Sequence, residues 1–266
     1  MTLISSGYQD RDRSSRVIEV VSRKDFLRAF GDDYIAGQHV SLFGPTGRGK
    51  SRLCYQMLGR VIGPDLQVVS LHGKIKGRDP VIETAAKRLR LRIVPELPST
   101  TRQKIDRKRG FNGYIIVPLE HPGETARAEN QLLAAQFQRA IHQNYRTTGR
   151  KTITHVNEAH QTQQDLKLKE SVEAPLMRGG PDNAVWQEAQ RGSYLSYHTY
   201  NAPEHIIIFY DDDATNRKRY SDFGCADPDE ILWITSRLRT ERSADGRTIS
   251  QCLYIRRGGG MYVVDT

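Results

Sequence analysis

The sequence predicts an α/β fold, a mostly parallel sheet with helices on both faces, and three observations carry that expectation. Short apolar runs rich in β-branched residues alternate along the chain with segments of helical periodicity. One strand-to-helix junction is the eight-residue motif Gly44-Pro45-Thr46-Gly47-Arg48-Gly49-Lys50-Ser51, which has the form Gly-x-x-x-x-Gly-Lys-Ser. The chain has 266 residues and 37% hydrophobic content, enough for one sizeable core with little left for a second.

Each element follows in chain order. Residues 17–21 read as a strand, and Ser22 as the cap of a short helix through Phe30, so residues 1–36 are expected to form an apron before a core domain of residues 37–266. Residues 39–43 are a strand ending at Gly44. After the motif, Leu53, Met57, Leu58, Val61 and Ile62 mark one face of a helix that stops at Gly63 and Pro64. Residues 67–71 form the next strand and lead into the polar segment 72–79, and Pro80 opens another helix. A strand at 114–118 precedes a helix over 124–143, whose Leu132, Leu133, Phe137 and Ile141 share a face. Strands at 152–156, 183–189 and 205–210 follow, and a helix over 214–220 completes the series.

The motif is a phosphate loop. Glycines let the backbone wrap closely around phosphate oxygens, Lys50 reaches the β and γ phosphates, and Ser51 offers its hydroxyl to Mg²⁺. ATP and Mg²⁺ are therefore the expected cofactors, bound by residues 44–51. Asn157 and Glu158 stand at the C-terminal end of the 152–156 strand, the edge where open α/β sheets bind ligands. A carboxylate there can orient the attacking water, a role that falls to Glu158, and Asn157 is the candidate beside the metal. His160 reads either as a sensor of nucleotide state or as a surface histidine. Gln190, just past the 183–189 strand, can sense the γ-phosphate.

A net charge of +9 favours a polyanionic partner. Much of it sits in residues 87–92 and 102–109, where Arg88, Arg90, Arg107 and Arg109 are candidate DNA contacts; a solvated helix and loop accounts for the same run. No apolar stretch approaches a membrane span, and no signal-like segment opens the chain, so a soluble, cytoplasmic protein is expected. Cys54, Cys225 and Cys252 lack metal or disulfide spacing and read as reduced thiols. The run Asp211-Asp212-Asp213 invites a two-metal nuclease reading, but adjacent residues at a strand end alternate in direction and do not converge, and a carboxylate there equally caps the next helix.

With the phosphate loop, the run Asn157-Glu158-Ala159-His160 and the run Ala189-Gln190-Arg191 in this order, the chain resembles the FtsK and HerA superfamily of P-loop motor ATPases, in its phage and actinobacterial form. The later runs 205–210 and 216–220, with Phe223 and Gly224, extend the resemblance towards the C-terminus. It implies a RecA-like core with the catalytic glutamate on an added strand, a homo-oligomeric ring (hexamer or pentamer) and ATP-driven movement of double-stranded DNA in packaging, segregation or conjugation. A bacterial or phage-infected cell would be its setting, and a portal or other DNA-channel protein a possible partner. Ring motors also place an arginine against a neighbour's γ-phosphate; Arg217 and Arg219 are the candidates, with Arg191 a third. Members usually carry Asp where this chain has Asn157. That departure motivates a second reading, a nucleotide-gated DNA- or partner-binding module with little turnover. A helicase acting on single strands is a third.

Overall fold

The structure is a computed structural model that describes residues 2–4, 18–73, 79–119, 125–147, 149–190, 194–242 and 248–265. Its strands are β1 (Thr2–Ile4), β2 (Ile18–Ser22), β3 (Val40–Phe43), β4 (Leu66–Leu71), β5 (Leu91–Val94), β6 (Gly113–Ile116), β7 (Lys151–Val156), β8 (Asn183–Ala189), β9 (His205–Phe209), β10 (Thr240–Arg242), β11 (Thr248–Ser250), β12 (Cys252–Arg256) and β13 (Met261–Asp265). The helices are α1 (Arg23–Asp33), α2 (Lys50–Val61), α3 (Pro80–Leu89), α4 (Thr100–Lys108), α5 (Ala126–Tyr145), α6 (Lys169–Arg178), α7 (His198–Asn201), α8 (Ala214–Arg217) and α9 (Pro228–Thr235).

Eleven of these strands form one sheet in the order β1-β2-β13-β12-β9-β3-β8-β7-β4-β6-β5. From β9 to β5 every neighbouring pair is parallel. Such strands are buried on both faces and read as continuous apolar runs, as β3 and β9 do. One apolar layer lies between the sheet and α1, α2 and α3, around Phe26, Phe30, Leu53, Met57 and Trp186. The other lies under α5, α6 and α9, around Leu133, Phe137, Val172 and Ile231. The mostly parallel, doubly covered sheet expected from the sequence is therefore the observed one, arranged as a RecA-like P-loop core.

Local chemistry sets several boundaries. The Ser22 side chain accepts a hydrogen bond from the Asp25 amide at the start of α1, Asp79 does the same for α3, whose first residue is Pro80, and Thr125 caps α5. On α5, Leu133, Phe137 and Ile141 are buried, but Leu132 is 44% exposed. The segment expected to be one helix over 214–220 is instead a single α-turn, α8, continued by a 3₁₀ segment over Lys218–Phe223.

Two regions depart further. The basic stretch 87–109 contains β5, the edge strand of the sheet, and all of α4. Helix α4 carries no apolar stripe; its buried residues are Gln103 and Asp106, so hydrophobic periodicity gave no signal. At the other edge, β12 runs antiparallel to both β9 and β13, and β13 then pairs in parallel with β2. The strands β1 and β2 of the first 36 residues thus belong to the same sheet, and α1 packs against it. Among the described residues, no helix is long and apolar enough to cross a membrane.

Candidate functional site

The phosphate loop joins β3 to α2 at the carboxyl edge of the parallel strands. Its glycines are required for two different reasons. Gly47 and Gly49 have φ of +80° and +89° with open space where a Cβ would stand, so conformation alone selects glycine there. At Gly44 a Cβ would come within 2.7 Å of the Phe209 Cβ, so the neighbouring strand β9 excludes a side chain. Gly49 caps α2 in the left-handed conformation with no side-chain bond to the first turn, which leaves that end of the helix suited to an anion. Lys50 is buried, and its Nζ donates to the carbonyls of Gly44 at 2.6 Å and Pro45 at 2.8 Å, on the inner side of the loop. Arg48 places its guanidinium 5.7 Å from the centre of the Tyr210 ring.

Strands β7 and β8 deliver the remaining groups to this edge. Gln190 donates from Nε2 to Glu158 Oε1 at 2.5 Å and accepts from the Thr46 hydroxyl, also at 2.5 Å. One amide therefore spans the strand-end carboxylate and the phosphate loop. Asn157 is buried and directs its amide nitrogen to Ser51 Oγ at 3.0 Å and to Glu188 Oε1 at 3.2 Å. His160 is half-buried, at the head of the short π-helical segment Gln161–Asp165 after β7, and its ring lies edge-on to Tyr194 with centroids 5.8 Å apart.

Glu188, on β8, was missed by sequence reasoning. It is 1% exposed, accepts from the Ser51 hydroxyl at 2.7 Å, and lies 3.0 Å from His155 Nε2. Behind it a chain of buried polar contacts runs into the core. His155 Nδ1 meets Ser70 Oγ at 2.8 Å, and Ser70 and the Tyr55 hydroxyl are 3.0 Å apart. Burial holds the Tyr55 hydroxyl well above its ordinary range and keeps it a neutral partner. Cys54 Sγ, a His155 ring nitrogen and a Glu188 oxygen lie within 4.8 Å of one another. Burial also pushes the Cys54 thiol well up, and a protonated thiol is a poor metal ligand. A signal for Glu188 was present in the sequence: a charged residue in an otherwise buried central strand is rare unless it is paired.

Of the other candidate residues, Asp211 lines a small pocket together with Gly44 and Gln190. Arg217 ends α8, half-buried. Arg219 is paired with Asp222 at 2.7 Å and lies 4.8 Å from the centre of the Tyr200 ring, so its guanidinium is engaged within its own chain. Arg191 lies outside the described residues. Asp211 accepts from the Asp213 amide and from the Asn216 side chain, and Asp213 caps α8, so two of the three acids shape the turn. The cysteines are free thiols.

The basic stretch divides by role. Asp106, buried in α4, accepts from Arg92 at 2.6 Å and from the Tyr114 hydroxyl at 3.2 Å, with Arg102 3.3 Å away. Burial raises its pKa, but those hydrogen bonds and the two arginine charges win and hold it below the usual carboxylate range. Arg88 and Arg109 are exposed, and Arg90, also exposed, donates to the Arg109 carbonyl at 3.2 Å. Arg107 instead lines a cleft of about 790 Å³ with Lys104, Lys108, Arg146 and Arg150, and no carboxylate lines it among the described residues. It lies where α4 and α5 end and β4 and β7 begin, at the edge of the sheet opposite the phosphate loop.

Comparison with known proteins finds no matching family model and no matching curated sequence. Solved structures do match in fold. The genome packaging NTPase B204 of Sulfolobus turreted icosahedral virus 2, solved with sulfate, superposes with a TM-score of 0.55 at 12% identity, over 85% of this chain and 95% of that one. The same protein solved with ATP-gammaS gives 0.53 at 13% identity, over 85% and 96%. The cytoplasmic domain of the type VII secretion ATPase EccC of Thermomonospora curvata gives 0.53 at 12% identity, over 87% of this chain and 25% of that one.

Proposed function

We propose that the chain is an ATPase motor of the FtsK and HerA type, acting on double-stranded DNA as a ring of identical subunits. The observation that carries this reading is the single bridge from the phosphate loop through Gln190 to Glu158. It joins the group that holds phosphate to the carboxylate that can act on water. The fold shared with a packaging NTPase and a secretion ATPase supports the class.

Lys50, fixed by the loop carbonyls, turns its ammonium to the β and γ phosphates of ATP. Ser51 would hold Mg²⁺ through its hydroxyl, with Asn157 beside it, and a bound ion would supply positive charge against the phosphates. The donor set fits that metal, since an oxygen ligand at the head of α2 is backed by a buried carboxylate. Glu158 accepts a hydrogen bond from the attacking water and orients it in line with the γ-phosphate. Gln190 registers loss of the γ-phosphate through Thr46 and shifts Glu158 with it. Of the pair Arg217 and Arg219, Arg217 is the one to reach the γ-phosphate held by the neighbouring subunit, since Arg219 is paired with Asp222.

ATP hydrolysis with and without duplex DNA is the deciding measurement. Stimulation by duplex supports the motor. ATP binding with no turnover under either condition supports the nucleotide-gated binding module instead, and ATP-dependent strand displacement would identify a helicase.

A further inference from the structure

The resemblance assigns the metal-supporting carboxylate to residue 157, at the end of β7, and this chain has an amide there. The structure nevertheless puts a carboxylate at the same spot. In the parallel register of β7 and β8, His155 lies beside Trp186 and Val156 beside Gln187, which sets Asn157 level with Glu188. Side chains alternate along β8, and Trp186 packs in the layer under α2, so Glu188 points to that same flank, towards Ser51. Its longer side chain, reaching from the next strand, ends 2.7 Å from the Ser51 hydroxyl.

We propose that Glu188 supports the Mg²⁺ of bound Mg·ATP: it accepts a hydrogen bond from the Ser51 hydroxyl, which would leave an oxygen lone pair for the metal, and it supplies the negative charge that Asn157 lacks. The surroundings fit an ionised carboxylate. Ser51 and Asn157 are both within donor distance of it, and the His155 ring closes the inner side. An amide at 157 is then the matching choice. The substitution Asn157→Asp would put a second carboxylate about where the amide nitrogen now donates, 3.2 Å from Glu188 Oε1, and like charges that close resist joint ionisation. Asn157 and Glu188 then act as a pair: the charge stands on the adjacent strand, and the donor stands where the resemblance expects the charge. Glu188 is thus a positioning residue, acting on the metal through Ser51.

The inference rests on the ATPase reading, and the test separates the two. A fluorescent ATP analogue is titrated with Mg²⁺, and its affinity is also measured in EDTA, for the wild type, Lys50→Ala, Glu188→Gln, Asn157→Asp and the double variant Asn157→Asp/Glu188→Gln. Glu188→Gln should raise the Mg²⁺ concentration for half-saturation by roughly 10- to 100-fold, the usual cost of losing a group behind a metal ligand, with the EDTA affinity unchanged. The double variant, which returns the charge to β7, should recover most of that loss. Manganese electron paramagnetic resonance on the nucleotide-bound protein gives a second readout, a narrowed ligand environment restored in the double variant. An unchanged Mg²⁺ titration in Glu188→Gln overturns the assignment, as does an equal loss in EDTA, which would mean damage to the pocket. Failure of the wild type to bind ATP any better than Lys50→Ala would instead remove the ATPase reading beneath it.

Discussion

The two edges of the parallel sheet are built on opposite electrostatic plans. At the carboxyl edge the charged groups are matched, and Lys50 and Glu188 are buried: Lys50 lies against loop carbonyls, Glu188 against Ser51 and Asn157, and the half-buried Glu158 against Gln190. At the amino edge five cations line one open cleft without a carboxylate among the described residues. Matched, desolvated groups hold fixed geometry, which positioning of a reacting phosphate requires. Clustered cations in water hold a long-range field, which suits a polyanion bound without regard to sequence. The proposed motor would use both, and the chain keeps them on opposite edges of one sheet.

The comparison breaks first at the carboxyl edge. Lys50→Ala should abolish tight ATP binding, and calorimetry showing equal affinity would remove the phosphate-loop assignment. Glu158→Gln should keep ATP affinity and lose about 10²- to 10⁴-fold in turnover, the range for a lost general base. Mixed rings of Arg217→Ala and Lys50→Ala subunits should recover activity that neither shows alone, since an arginine supplied by a neighbour is worth about 10³ to 10⁵ in rate. Co-assembly without recovery would exclude Arg217 from that role.

The amino edge should respond in a different observable. Replacing Arg107, Arg146 and Arg150 with Ala should lower the slope of log affinity against log salt for duplex DNA by about 2.7 if each meets one phosphate. ATP affinity without DNA should stay the same. Replacing Arg88, Arg90 and Arg109, which do not line the cleft, should change the slope less. An equal drop from both sets would make the whole basic stretch, and not the cleft, the DNA surface.

A further prediction concerns stability. His205 is buried at the start of β9, between Tyr254 at 2.7 Å and Gln38 at 2.9 Å, and burial pulls its pKa down to about 4, with the Arg256 charge adding to the effect. Below its ordinary value near 6.5 the unfolded chain binds this proton and the folded chain does not, so stability falls as pH drops from about 6.5 to 4. The loss from this group reaches about 3 kcal/mol at most. His39, also lowered chiefly by burial, acts in the same sense. Denaturant titrations across that range should show a shallower pH dependence in His205→Gln; an unchanged slope would exclude His205 as its source.

The smallest expected effect is at Arg219. Loss of its Asp222 pair and its contact with Tyr200 should cost about 1 kcal/mol of stability, and turnover should hold within about twofold. A large drop in turnover with unchanged stability would instead give Arg219 the role assigned to Arg217.

The sequence by itself determined the phosphate loop, the strand that feeds it and the helix that leaves it. Those features are local: glycine conformations, a cap and a helical stripe are all written in neighbouring residues. It also located Glu158 and Gln190 by their position just past apolar strands, though not their contact, which spans 32 residues of chain. The edge strand β5 and helix α4 left no such trace, because α4 is anchored by a buried Asp106 and its arginine partners, not by an apolar face. Tertiary structure alone decided which arginines of that stretch face the cleft and which hold Asp106. It also decided that Glu188 stands beside Asn157, since strand register is a property of two distant segments paired in space, and only that pairing turns a lone glutamate in an apolar strand into a neighbour of the phosphate loop.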